Sequence, residues 1–162
     1  MKASTCLLLL AQALPPAVLA HGDAHAPSKA PAKRSSEQHP WGRQGDPKKA
    51  SRTVRVTMSD AMRFDPSQLQ LQRGQTVTFV VHNAGRLMHE FVIGTRSALD
   101  EHAALMKKHP GMEHDEPFMA HVAPGQTRRI SWTFTEAGEF LAGCLLPGHW
   151  EAGMKAVLKV KE

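Results

Sequence analysis

Cys144, His149 and Met154 lie within one stretch, Gly138 to Val160 (GEFLAGCLLPGHWEAGMKAVLKV), at a Cys-x4-His-x4-Met spacing. A thiolate, an imidazole and a thioether make a soft, nitrogen-bearing ligand set. Copper centres that transfer electrons use two imidazoles and one thiolate in a trigonal array with a long axial thioether, so one imidazole is still missing. His89, in RLMHEFVI (86–93), shares a strand phase with the apolar Phe91 and Ile93 and is predicted to point inward from the head of a strand. His82 falls in the phase opposite to Val77, Phe79 and Val81 and reads as solvent-facing. A histidine alone is more often structural than a ligand. With Cys144, His149 and Met154 in the same small domain, that balance reverses for His89.

These side chains must be brought together by the elements around them. Phe140, Ala142 and Cys144 share one strand phase, as do Met154, Ala156, Leu158 and Val160, while Lys155, Lys159 and Lys161 take the other. Cys144 and Met154 are therefore both predicted to face the core. The turn between them, Leu145 to Gly153, carries Pro147, Gly148 and Gly153, which suit a fixed, tight path. A loop that barely rearranges between oxidation states transfers electrons with little reorganisation. Further upstream, Val54, Val56 and Met58, then Leu69 and Leu71, then Val77, Phe79 and Val81, and later Ile130, Trp132 and Phe134 alternate with polar residues. Period-two runs separated by turn signals such as Asp65-Pro66 and Arg73-Gly74 predict an all-β, Greek-key antiparallel sandwich. Residues 52–162, about 110 residues, suffice for one such domain with a single core. One helical insertion interrupts it: Ser97 with Asp100 marks a start, Leu99, His102, Ala103 and Met106 share a face, and the helix should stop near Lys108.

At the beginning of the chain, Lys2 precedes an apolar run, Cys6 to Ala20, that ends in Val18-Leu19-Ala20. This reads as a secretory leader over residues 1–20. The run is short and broken by Pro15 and Pro16, whereas a spanning helix needs roughly 20 apolar residues. The exported protein would keep Cys144 as its single cysteine and so form no internal disulfide; a lone thiol there is either an oddity or a ligand. Residues 21–51 are rich in Ala, Pro, Lys, Ser and Gly and are predicted to be a disordered arm. Its His21, His25 and His39 either gather copper loosely or decorate a solvated spacer. The chain carries 20 basic and 15 acidic residues, a formal +5. Loss of Lys2 leaves 19 against 15, or +4, a weak pull toward acidic surfaces. No interleaving of basic and aromatic residues points to nucleic acid, and no segment points to stable membrane insertion.

The pattern Phe64-Asp65-Pro66, Leu69 to Gly74, Val77 to Asn83, His89-Glu90-Phe91 and Gly138 to Met154 resembles the cupredoxins, the plastocyanin and azurin class of blue copper proteins. That resemblance covers the chain after the arm. It implies one type 1 copper with His89, Cys144 and His149 as strong ligands and Met154 as the weak axial one. Loop spacing between ligands varies within the class, and here both gaps hold four residues. The chain also resembles periplasmic copper-tolerance cupredoxins, which add His and Met residues to the core. Here Met112, His114, Met119 and His121 follow the helix, and soft thioethers beside imidazoles suit Cu(I). They form either a second, weaker copper site or a Met-lined packing surface with a solvated loop.

Three functions follow. One is a periplasmic electron carrier, in which the His149 imidazole beside Pro147 offers electrons a short exit to a redox partner. A second is copper sequestration or delivery to a copper-handling protein through the additional Met and His residues. The third, an oxidase or reductase, ranks last, because such enzymes carry a histidine directly beside the site cysteine and Cys144 is flanked by Gly143 and Leu145. Catalysis with Cys144 as a nucleophile suits the inward phase and Met154 poorly. The reading adopted is a non-enzymatic, periplasmic type 1 copper protein that transfers electrons by Cu(I)/Cu(II) cycling in a copper-tolerance setting, with copper sequestration or delivery as the alternative.

Overall fold

The computed structural model describes residues 35–109 and 115–162. The leader, His21, His25, Met112 and His114 therefore lie outside the described residues. Alternating segments become strands in the order β1 (Gln38–His39), β2 (Gly42–Gln44), β3 (Arg52–Ser59), β4 (Arg63–Asp65), β5 (Gln68–Gln72) and β6 (Thr76–Asn83). β7 (His89–Gly94) precedes the helix α1 (Arg96–Lys108), and β8 (Met119–Val122), β9 (Thr127–Thr133), β10 (Gly138–Gly143) and β11 (Lys155–Lys161) complete the set. One sheet runs β1-β2-β9-β6-β3-β4 and the other β5-β11-β10-β7-β8.

The sandwich is the one expected, with one departure: β3 pairs with β6, and β5 with β11, in parallel. The cause is the route of the chain. It leaves the first sheet after β4, contributes β5 to the second, and returns as β6 beside β3, so no crossover helix is needed. Between the sheets, Val54, Val56 and Met58 of β3, Phe79 and Val81 of β6 and Trp132 of β9 form one buried cluster with Phe91, Ile93, Ala142, Leu158 and Val160. The Phe91 ring sits 5.5 Å from Phe64 and 5.4 Å from Phe79. His82, as its phase requires, is exposed, with Nδ1 3.1 Å from Thr127 Oγ1.

The disordered arm predicted for residues 21–51 is corrected over its second half. Residues 38–44 form β1 and β2, and Pro47–Lys49 forms a 3-10 turn capped by Asp46, whose side chain accepts the Lys48 N–H. A buried aromatic residue and pairing of β2 with β9 anchor this polar segment. Trp41 is buried, and its carbonyl accepts the Trp132 indole N–H at 2.9 Å. Gly42 sits at φ +127°, and a Cβ there would fall 2.1 Å from the Thr133 carbonyl oxygen. Consequently His39, open in the sequence between a loose copper ligand and part of a solvated spacer, stacks on Trp41 with ring centroids 4.7 Å apart and meets Phe118 edge-on. Composition missed this because a Trp buries a large apolar surface that average hydropathy dilutes.

Helix α1 begins slightly earlier than predicted. Thr95, not Ser97, is the cap: its backbone is extended and its hydroxyl accepts the Ala98 N–H at 3.2 Å. Leu99, Ala103 and Met106 are buried as their spacing requires. The helix lies on the outer face of the second sheet, where Leu99 and Ala103 join Val92, Met119, Leu145 and Trp150 in a second apolar cluster. Gly94 allows this close approach, since a Cβ there would stand 3.0 Å from Leu99 Cδ2. β7 is consequently buried along its whole length, on both faces.

Candidate metal centre

His89, Cys144 and His149 converge at one end of the sandwich, with one ligand atom from each lying within 4.8 Å of the other two. Cys144 Sγ is 3.2 Å from His149 Nδ1 and 4.0 Å from His89 Nδ1, and the imidazole centroids are 5.1 Å apart. Cys144, His89 and Met154 are fully buried, and His149 is half-buried. Met154 enters through the backbone: its carbonyl accepts the Cys144 N–H at 3.1 Å, and its side chain packs in the same apolar cluster as Cys144.

The loop between these residues is held by its own amides. His149 N–H donates to Leu146, Ala152 N–H to Gly148, Gly153 N–H to Trp150, and Met154 N–H to the His149 carbonyl. Gly148 and Gly153 adopt φ +88° and +86°, a region where L side chains are strained. The two glycines noted in the sequence are thus required where the path reverses.

Burial pushes the Cys144 thiol up to about 12, against the N–H groups of Glu90 and Leu146, which favour the thiolate. Glu90 N–H points at the sulfur from 3.3 Å. Burial, with His89 close by, pushes His149 below its ordinary value and keeps it neutral. A buried thiol facing two imidazole nitrogens, with no second cysteine near it among the described residues, is a donor set in want of a cation to replace its proton. Sulfur and imidazole nitrogen together select copper over hard ions.

Sequence reading overlooked three residues here. Asp60 Oδ1 lies 3.1 Å from His89 Nε2, and the same carboxylate accepts the Arg86 N–H at 2.7 Å and the Leu87 N–H at 3.2 Å. A carboxylate at Nε2 places that nitrogen's proton outward and leaves Nδ1 bare toward the sulfur. Glu90, wholly buried, accepts the Leu145 N–H through Oε2 at 3.3 Å and meets His121 Nε2 through Oε1 at 2.8 Å. The third is Trp150, directly after His149. Glu90 and Trp150 were visible as neighbours of predicted ligands; Asp60, 29 residues from His89, carried no signal.

Of the four residues of the candidate second copper site, Met112 and His114 lie outside the described residues, and the two described are placed apart in their contacts. Met119 is buried in the apolar cluster beneath α1, and His121 is turned to Glu90. Among the described residues, His89, Cys144 and His149 are the group of donors placed to hold an ion.

A two-sheet sandwich that closes two imidazoles and one thiolate at its end, with a buried methionine beside them, defines a cupredoxin, a small β-protein that binds copper. This chain belongs to the copper binding proteins of the plastocyanin/azurin family, which its residues 51–161 match. It is 49% identical over 141 residues, 87% of this chain and 83% of the relative, to the copper-resistant cuproprotein CopI of Rubrivivax gelatinosus. To the copper-resistant cuproprotein CopI of Pseudomonas aeruginosa it is 31% identical over 150 residues, 75% of this chain and 82% of the relative. Its fold is similar to that of reduced auracyanin from the photosynthetic bacterium Roseiflexus castenholzii, with a TM-score of 0.60 and 22% identity over 70% of this chain and 99% of the other.

Asp60→Ala should lower copper affinity about 10–100-fold, the usual cost of losing the carboxylate that orients a histidine ligand. Titration against a chelator of known affinity measures it. An unchanged affinity would mean that β7 alone fixes the imidazole.

Proposed function

We propose that His89, Cys144 and His149 hold one copper ion, with Met154 as a weak fourth ligand, and that the protein carries electrons in a copper-tolerance setting. The observation that carries this reading is the convergence of the three donor atoms within 4.8 Å. Bound copper would supply a one-electron couple and an intense thiolate-to-metal absorption. The chain's own residues supply the rest. Asp60 and the buried strand β7 orient His89, the Glu90 N–H steadies the sulfur, and the loop amides keep His149 in place for both oxidation states. A site that need not rearrange passes electrons with a small reorganisation cost.

The half-buried His149 is the edge of the site nearest solvent, and Leu87 and Met88, just before His89, are exposed apolar residues. Apolar residues beside that edge suit transient docking of a redox protein or copper-handling partner. The tolerance setting rests on both relatives, each a copper-resistant cuproprotein. Export to a periplasm rests on the apolar run Cys6 to Ala20. Among the described residues no helix is long and apolar enough to cross a membrane.

Voltammetry of the copper-loaded protein tests the carrier role. A reversible one-electron wave is expected, and Met154→Leu should shift its potential while one copper per chain stays bound, because an axial ligand tunes rather than anchors. An irreversible wave, with copper lost on reduction, would favour sequestration instead.

A further inference from the structure

We infer that α1 clamps the metal loop from outside the sandwich, gripping it at Trp150, so that the position of His149 is set by a helix that holds none of the predicted ligands. As a statement about the copper site, this rests on His149 being a ligand; as a statement about the loop, it stands on the contacts alone.

Two residues of α1 reach the loop immediately after His149, at Trp150 and Glu151. Asp100 Oδ1 accepts the Trp150 indole N–H at 2.9 Å. Lys107 forms an ion pair with Glu151, whose other carboxylate oxygen accepts the Gly148 N–H at 3.0 Å. Helix contacts therefore bear directly on residues 150 and 151, and through the Glu151 carboxylate on Gly148, the residue before His149. Asp100 is itself oriented by Arg96 one turn earlier, Nε to Oδ2 2.7 Å, and the Arg96 guanidinium carbon lies 5.8 Å from the Trp150 ring centroid. Hydrogen bonds with a charged partner are stronger than neutral ones, so these few contacts suffice to restrain a short loop.

The sheet is shaped to receive the same indole. A Cβ at Gly143 would lie 2.5 Å from Trp150 Cζ3 and 2.9 Å from Cε3, so only glycine lets the ring rest on the backbone just before Cys144. Lys155, at the far stem of the loop, places its ammonium 3.9 Å from the ring centroid, within the range of a cation–π contact. The indole is thus held by the helix through its N–H, by β10 through Gly143 and by β11 through Lys155. It joins both stems of the loop to α1.

Ordinary core packing would also bury Trp150, but it does not require Asp100. That carboxylate is exposed and contributes no apolar area, so its removal separates clamp from core. The test compares Asp100→Ala, Asp100→Asn and Trp150→Phe. In the metal-free protein, amide exchange at Ala152, Gly153 and Met154 should accelerate about tenfold in D100A and W150F, with β6 amides unchanged. D100N keeps a neutral, weaker acceptor for the indole N–H and should fall between native and D100A. With one copper bound, D100A and W150F should shift the visible band or the copper hyperfine splitting, and D100N should shift it less. Native exchange rates in both D100A and W150F overturn the clamp. Exchange as fast in D100N as in D100A removes the indole bond as its grip, and faster exchange with an unmoved spectrum removes its hold on His149. A native protein with no visible band sinks the copper reading instead, while the metal-free exchange still decides whether α1 restrains the loop.

Discussion

Cys144→Ser should lose the whole of the intense visible absorption of the oxidised, copper-loaded protein. That band requires a thiolate, whose loosely held electrons transfer to the metal at visible energies; an alkoxide or hydroxyl holds its electrons too tightly. The substitution is well suited to the question because it spares the fold. Serine is close to cysteine in size, and the positions around Sγ already hold hydrogen-bonding groups: the Glu90 N–H at 3.3 Å and the His149 Nδ1 at 3.2 Å. The metal-free variant should therefore unfold within about 1–2 kcal/mol of native, the scale of one altered buried hydrogen bond. A variant that folds, binds copper and keeps the colour would remove Cys144 from the site and the carrier reading with it. Loss of colour alongside native-like unfolding ties the absorption to the sulfur and not to a collapsed sandwich.

The parts of this molecule that could be read from its sequence are those set by period and chemistry together. Phe140, Ala142 and Cys144 on one stem and Met154, Ala156, Leu158 and Val160 on the other are buried as alternation requires. His89 and His82 fall on opposite sides of that rule, one buried and one exposed. What escaped the sequence depends on contacts between distant segments. Asp60 reaches His89 across 29 residues, and only the folded β3–β4 edge brings them together. The strands at 38–44 depend on Trp41 meeting Trp132, 91 residues away, which no local window contains. Met119 shows where the sequence left two readings open. Its thioether suits a soft metal or apolar packing alike, and in the fold it packs with Leu99 and Ala103.

The buried thiol carries the second large effect, through pH. In the folded, metal-free chain Cys144 is raised from 9.0 to about 12, mainly by burial. Its neutral form is thus favoured by folding. The stabilisation is fully present below pH 9, where folded and unfolded chains both keep the proton, and is lost as pH climbs toward 12, because only the unfolded chain releases it. The expected slope for this one group is about 1.4 kcal/mol per pH unit. Denaturant unfolding from pH 8 to 11 measures it, and Cys144→Ser supplies the baseline set by lysines and arginines; the chain has no tyrosine to titrate in the same interval. Copper should erase the slope, since the metal takes the place of the proton. Below pH 9 the same exchange makes apparent copper affinity rise about tenfold per pH unit, with close to one proton released per ion. His149, held neutral by burial, adds none near pH 8. Proton release near zero at pH 8 would mean either that the thiol is already ionised in the empty site or that copper binds without it. The alkaline slope of the metal-free protein distinguishes the two, since an ionised thiol would leave that slope identical to the serine variant's.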